Sequence, residues 1–209
     1  MYVHEHNILT AGIPVNEAKS AVIFLHGRGS SAEDIVSLSK HLDLKGAAVF
    51  APQATNNSWY PYSFIAPVEQ NQPALDSALT VLKTLVDEIV ASGIPLDKIF
   101  FCGFSQGACL TLEYVTRNAA QYGGIVAFTG GLIGKEINMK NYKGDFMKTP
   151  VLITTGDPDP HVPVRRVELT ETIMKKLNAD VTTKIYAGRV HTISQKEIEL
   201  AKLLIFKYI

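Results

Sequence analysis

The sequence predicts an α/β fold: a mostly parallel central sheet with helices on both faces. Three observations carry that expectation. Short apolar runs alternate with helix-period segments along the chain, the pattern of repeated strand–helix units. One junction reads strand, then Gly103-Phe104-Ser105-Gln106-Gly107, then helix. Another reads strand, then His26-Gly27-Arg28-Gly29-Ser30, then helix. With 209 residues, 46% hydrophobic and 19% charged, the chain is long enough for a sizeable core. It shows no repeat and no linker, so residues 1–209 are expected to form a single domain.

Taken in order, Tyr2 to Leu9 alternates loosely and reads as an exposed strand. His4 and His6 would share one face of it. No third ligand stands at a recognised spacing, so they read as solvated surface and no metal site is expected. Gly12-Ile13-Pro14 is a turn, and Ser20 to Leu25 a buried strand. Ser30-Ser31-Ala32-Glu33 has capping-box spacing, with Ser30 as the cap of a helix to about Leu42. Gly46 to Ala51 is a strand. In the aromatic stretch Ser58 to Ile65, the nearby Asn56, Asn57, Pro61 and Pro67 argue against regular structure. Trp59 and Tyr60 are expected to wall an apolar pocket there. From Pro73 to Ser92, Leu75, Leu79, Leu82, Val86 and Ile89 lie on one helical face, and Gly93 and Pro95 end the helix.

Lys98 to Cys102 is a strand and Ala108 to Val115 a helix, with the serine turn between them. Gly124 to Phe128 is a strand, and the loop after it, containing Leu132, is expected near the serine as a further pocket wall. Residues 135–149 are polar and too few for a folded cap. Thr149 to Thr155, Val164 to Leu177, Val181 to Tyr186 and about Ser194 to Tyr208 complete the alternation as strand, helix, strand, helix.

The serine turn carries the chemistry. A turn this sharp between strand and helix forces unusual angles at Ser105, and glycines on either side avoid the clash. It lifts the hydroxyl above the sheet, where the next N–H, that of Gln106, points at the same place. The glycine loop after the strand ending at Leu25 frees N–H groups for an anion, and the Arg28 N–H is the expected second donor. The Arg28 side chain has two readings, a contact for an anionic substrate group or a solvated arginine, and the second is the simpler. His26 precedes the serine and is expected to support its loop through hydrogen bonds.

With this turn, the acid and then the histidine follow the serine in sequence. His161 and His191 are the histidines after Ser105. His161 sits within the acidic loop and reads as a packing residue, and His191 follows the last strand and is the expected base. Asp157 and Asp159 both lie after the penultimate strand. Asp157, between Gly156 and Pro158, suits a turn cap, which favours Asp159 as the acid. Val162 is expected to line the pocket.

Leu25-His26-Gly27-x-Gly29, Gly103-Phe104-Ser105-Gln106-Gly107, Gly156-Asp157-x-Asp159-x-x-Val162-Pro163 and the His191 loop together resemble the phospholipase/carboxylesterase family of α/β-hydrolases, which includes the acyl-protein thioesterases. The resemblance spans nearly the whole chain and implies the α/β-hydrolase fold without a cap domain. It implies Ser105, Asp159 and His191 as a catalytic triad, with the N–H groups of Arg28 and Gln106 as the oxyanion hole. Arg28-Gly29-Ser30 departs from the thioesterases' apolar residue followed by Gly-Asp, and Trp59-Tyr60-Pro61-Tyr62 departs from their lid loop. The implied reaction is ester or thioester hydrolysis through an acyl-enzyme, closest to bacterial carboxylesterases acting on small or short-acyl substrates. A thioesterase, lysophospholipase or dienelactone-type hydrolase is the alternative, and a non-catalytic binding protein a remote one.

No cofactor is expected. Lys+Arg and Asp+Glu number 20 each, and without a basic patch nucleic acid is not an expected partner. No apolar run approaches membrane-span length. Cys102 and Cys109 flank the serine turn and read as buried core thiols, which with the absence of a leader points to the cytoplasm. A homodimer is left open.

Overall fold

The computed structural model describes residues 2–209. Seven strands form one sheet in the order β1-β3-β2-β4-β5-β6-β7. They are β1 (Ile8–Gly12), β2 (Ser20–Leu25), β3 (Ala47–Pro52), β4 (Ile99–Phe104), β5 (Gly124–Phe128), β6 (Pro150–Asp157) and β7 (Asp180–Ala187). Every neighbouring pair is parallel except β1 with β3. The fold is that of the α/β hydrolases.

The helices α1 (Ala32–Ser37), α2 (Val68–Asn71), α3 (Ala74–Ala91), α4 (Gln106–Arg117), α5 (Val164–Lys176) and α6 (Gln195–Leu204) connect the strands. Because strand side chains alternate, each central strand feeds two cores. On one face Ala21, Ile23, Leu25 and Phe101 pack with Leu75, Leu82, Leu110 and Val167 of α3, α4 and α5. On the other, Val22, Phe24, Phe100 and Cys102 pack with Ile35 of α1 and Ile198 and Ala201 of α6. No helix among the described residues is long and apolar enough to cross a membrane.

Three expectations are corrected here. Residues 2–7 form no strand: β1 begins at Ile8, opposite Pro52, where β3 ends. Proline has no N–H for the ladder, and beyond it only the Gln53 N–H still reaches this segment, donating to the Asn7 carbonyl (2.9 Å). His4 is not solvated but buried, taking a bond from the Thr55 N–H on Nδ1 (3.1 Å) and donating from Nε2 to the Trp59 carbonyl (2.8 Å). His6 is exposed and pairs with Glu88 at 3.0 Å, so the two histidines do not converge. The capping box is shifted by one residue: Ser31 caps α1 and Asp34 closes the box, while Ser30 donates its hydroxyl to Asp34. That helix also stops at Ser37 and continues as a 3-10 turn, Leu38–His41. Between β5 and β6, residues 129–149 hold only the 3-10 turn Met139–Asn141 among the described residues.

Candidate active site

β4 ends in the turn that presents Ser105, and α4 starts one residue later. Ser105 has φ 54° and ψ −116°, a conformation L residues rarely adopt. The turn is held by the Ser105 N–H donating to the Phe128 carbonyl (3.0 Å) and the Ser105 carbonyl accepting from Cys109 N–H (3.0 Å). Its two glycines are sterically required. A Cβ at Gly103 would lie 2.5 Å from the Gly107 carbonyl oxygen, and one at Gly107 would lie 2.6 Å from that of His26.

His191, on the loop between β7 and α6, bridges Ser105 and Asp159. Its Nε2 is 2.8 Å from Ser105 Oγ and its Nδ1 is 2.8 Å from Asp159 Oδ2. An ionised carboxylate only accepts, so the ring proton sits on Nδ1 and Nε2 is left to accept from the serine hydroxyl. The Asp159 side chain is fully buried and makes two kinds of contact. Its Oδ1 accepts from the N–H groups of His161 and Val162, 2.9 Å each, and its Oδ2 meets His191. Burial alone would raise its pKa, but the bonds from His191, His161 and Val162 together hold it below the usual carboxylate value. The turn-capping bonds expected at Asp157 are therefore made by Asp159 itself, and Asp157 is exposed.

Sequence reasoning missed the residue that holds the His191 loop. Arg189, 8% exposed, donates from Nη1 to the carbonyls of Val190 (2.8 Å) and Thr192 (2.5 Å), one on each side of His191. Its Nη2 donates to Thr129 Oγ1 (2.6 Å), and its Nε lies 3.5 Å from the fully buried Glu197 carboxylate. Glu197 closes the capping box of α6 by accepting from the N–H and hydroxyl of Ser194, and it also accepts from Thr154 Oγ1. The signal was present as Ser194 followed three residues later by Glu197, but nothing local marks Arg189. His26 is buried as expected: Ala54 N–H donates to its Nε2 (3.1 Å) and its Nδ1 donates to the Gly27 carbonyl (2.8 Å). Burial lowers its pKa and keeps it neutral.

The glycine loop runs beside the serine, where a Cβ built at Gly27 would lie 3.5 Å from Ser105 Cβ. The Gln106 N–H is the first of α4, where no intrahelical carbonyl reaches it. The side chains of Arg28 and Gln106 both grip the aromatic loop. Arg28 donates from Nη1 to Ser58 Oγ (3.0 Å) and the Pro61 carbonyl (2.8 Å), and from Nη2 to the Tyr62 carbonyl (2.7 Å). Gln106 accepts from Trp59 N–H (2.9 Å) and donates to the Tyr60 carbonyl (2.8 Å). The Arg28 side chain is thus bonded to the protein rather than freely solvated.

A cleft of about 790 Å³ opens over Ser105, with Tyr60, Phe64 and Ile65 on one wall and His161 and Val162 on another. Trp59 and Leu132, expected as wall residues, do not line it, and both are completely buried. The Trp59 ring turns inward because its indole N–H donates to the His26 carbonyl (2.9 Å). Leu132 is pulled into the core beside α5, where its N–H and carbonyl are taken by Thr170 Oγ1 and Arg166 Nη1. His161, read as a packing residue, is exposed and lines the cleft, and its ring stands edge-on to His191 at 5.0 Å.

A mostly parallel sheet with a hydrogen-bonded serine, histidine and aspartate at the carboxyl ends of its strands is an arrangement typical of α/β hydrolases. The chain belongs to the phospholipase/carboxylesterase family, which it matches over residues 8–209. The solved phospholipase/carboxylesterase of Dyadobacter fermentans is 62% identical, covers 99% of each chain and superposes with a TM-score of 0.98. Carboxylesterase SOBER1 of Arabidopsis thaliana is 26% identical over 87% of both sequences. Acyl-protein thioesterase 1 of Kluyveromyces lactis is 25% identical over 92% of this chain and 93% of its own. Family membership makes the chain a hydrolase of ester or thioester bonds.

Proposed function

We propose that the chain is a serine carboxylesterase whose triad is Ser105, His191 and Asp159. Ser105 attacks the carbonyl carbon as His191 Nε2 takes its proton, forming a tetrahedral oxyanion held by the N–H groups of Arg28 and Gln106. Collapse expels the alcohol or thiol, which receives that proton, and leaves an acyl-serine. His191 then activates water, and hydrolysis returns the carboxylic acid and free Ser105. Asp159 holds the ring in the tautomer that leaves Nε2 free and stabilises the imidazolium.

One observation carries this reading: His191 lies 2.8 Å from both Ser105 Oγ and Asp159 Oδ2, through opposite nitrogens. The absence of a folded cap among the described residues supports small or short-acyl esters as substrates. One sheet shared by both cores supports a single domain over 1–209, and two unpaired buried cysteines fit a cytoplasmic setting. The test is labelling with a fluorophosphonate, followed by kinetics on esters of increasing acyl length. Wild type is expected to label and Ser105→Ala not to, with kcat lowered by roughly 10³-fold or more. Equal labelling of the two proteins would refute the assignment.

A further inference from the structure

The cleft over Ser105 has an unbalanced electrostatic lining. Arg28 lines it together with His161 and His191, and among the described residues no carboxylate does. All three hydrogen bonds that fix the Arg28 guanidinium go to neutral oxygens, those of Ser58, Pro61 and Tyr62. Among the described residues no ion pair involves Arg28. The guanidinium also lies over the Tyr60 ring, 5.9 Å from its centroid, so it is held in place with an aromatic face and neutral oxygens around it but no carboxylate. A guanidinium has five N–H groups, and these bonds use two on Nη1 and one on Nη2. The remaining two, on Nε and Nη2, belong to the pair of nitrogens that presents a bidentate edge to a carboxylate. An arginine serving only as a strap needs no cleft-facing position, and one that is only solvated does not fix its fork on three acceptors.

We propose that the cleft prefers esters carrying an anionic group, in the simplest case a carboxylate, which docks on the remaining donors of Arg28. This rests on the Ser105 acyl-enzyme reading and adds a substrate class to it. The anion belongs to either the acyl or the alcohol part, and two arms of one experiment separate them. For the acyl part, monoethyl succinate is compared with its neutral isostere, ethyl succinamate. For the alcohol part, acetoxyacetate is compared with acetoxyacetamide. kcat/KM is measured by pH-stat for wild type, Arg28→Lys and Arg28→Met, at low and high salt.

In wild type the carboxylate member of at least one pair is expected to be favoured about tenfold, the low end for a charge-assisted contact at an exposed site. Added salt should shrink that ratio. Arg28→Lys should keep part of it, and Arg28→Met should bring it near one. The ratio is taken within one sample, so partial unfolding does not change it, and the wild-type salt dependence stands even where a variant fails to fold. A ratio of one or less in both wild-type pairs overturns the proposal. So does a preference that survives in Arg28→Met, including the case where both members lose activity alike, which would make Arg28 only a strap. Hydrolysis of the neutral esters in those cases leaves the serine-esterase reading standing. If no ester is cleaved and the fluorophosphonate does not react, both readings fall.

Discussion

His191 meets two partners through opposite edges of one ring, so its tautomer is set by which partner can only accept. Asp159→Asn offers an N–H in place of that acceptor and can stabilise the wrong tautomer. Its kcat is expected to fall by roughly 10³-fold or more. Asp157→Asn, at an exposed side chain, should stay close to wild type in the same assay, and the reverse ranking would move the acid to Asp157. Asp159 also links the site to acid stability. Its pKa in the fold lies below the ordinary carboxylate value, so its contribution is fully present above the unfolded value, about 3.9, and is lost as pH falls through the lower folded value. Urea midpoints measured across that acid range should fall less steeply in Asp159→Asn. The thiols beside the site are a different matter. Burial raises Cys102 and pushes Cys109 up to about 12, so neither supplies a thiolate at neutral pH. Iodoacetamide on the native protein is expected to leave activity intact, and rapid loss of activity would bring Cys109 into the chemistry.

At the scale of elements, the loop between β7 and α6 matters as much as the residue it carries. Arg189 bonds the carbonyls on both sides of His191 and ties the loop to Thr129 and to Glu197 in α6. It touches no reacting atom and acts through His191. Small misplacements of a catalytic group are costly, so Arg189→Met is expected to lower kcat by about tenfold or more with a smaller change in KM. Arg189→Lys or added methylguanidine should restore part of that loss, which a purely structural defect would not allow. Glu197→Ala strands the buried Arg189 charge and should destabilise the fold by about 3 kcal/mol or more, read from urea unfolding. Helix α1 shows why such details escape sequence reading. Ser30 and Ser31 each have an acid three residues on, Glu33 and Asp34, and the two capping registers look alike until Asp34 is seen to bond both serines.

Over the whole molecule, the elements buried on both sides were the legible ones. β4 and β5, and β2 after its first residue Ser20, are apolar because helices cover both faces, and α3 shows its buried face at helical spacing. The loops after those strands were placed from their order, and the structure brings the side chains of Ser105, His191 and Asp159 on them within hydrogen-bonding distance. What stayed hidden was set by partners far away in sequence. His4 turns inward to Thr55 and Trp59, and Trp59 leaves the cleft for the carbonyl of His26. Arg28 and Arg189 reach across 30 to 60 residues, leaving no local pattern to read. The backbone of Ser105 adds a consequence for the molecule's thermal tolerance. A non-glycine residue held at φ 54° and ψ −116° stores on the order of 1–3 kcal/mol that the surrounding fold must restrain. Glycine adopts those angles freely, although its unfolded chain gains about 0.4–1 kcal/mol in entropy. Ser105→Gly, which also gives up the Oγ bond to His191, is therefore expected to melt close to wild type while losing hydrolysis, and a Tm lowered by more than the loss of that bond accounts for would show that the turn is not strained. Selection for heat resistance alone would then do little to keep the proposed nucleophile in this chain.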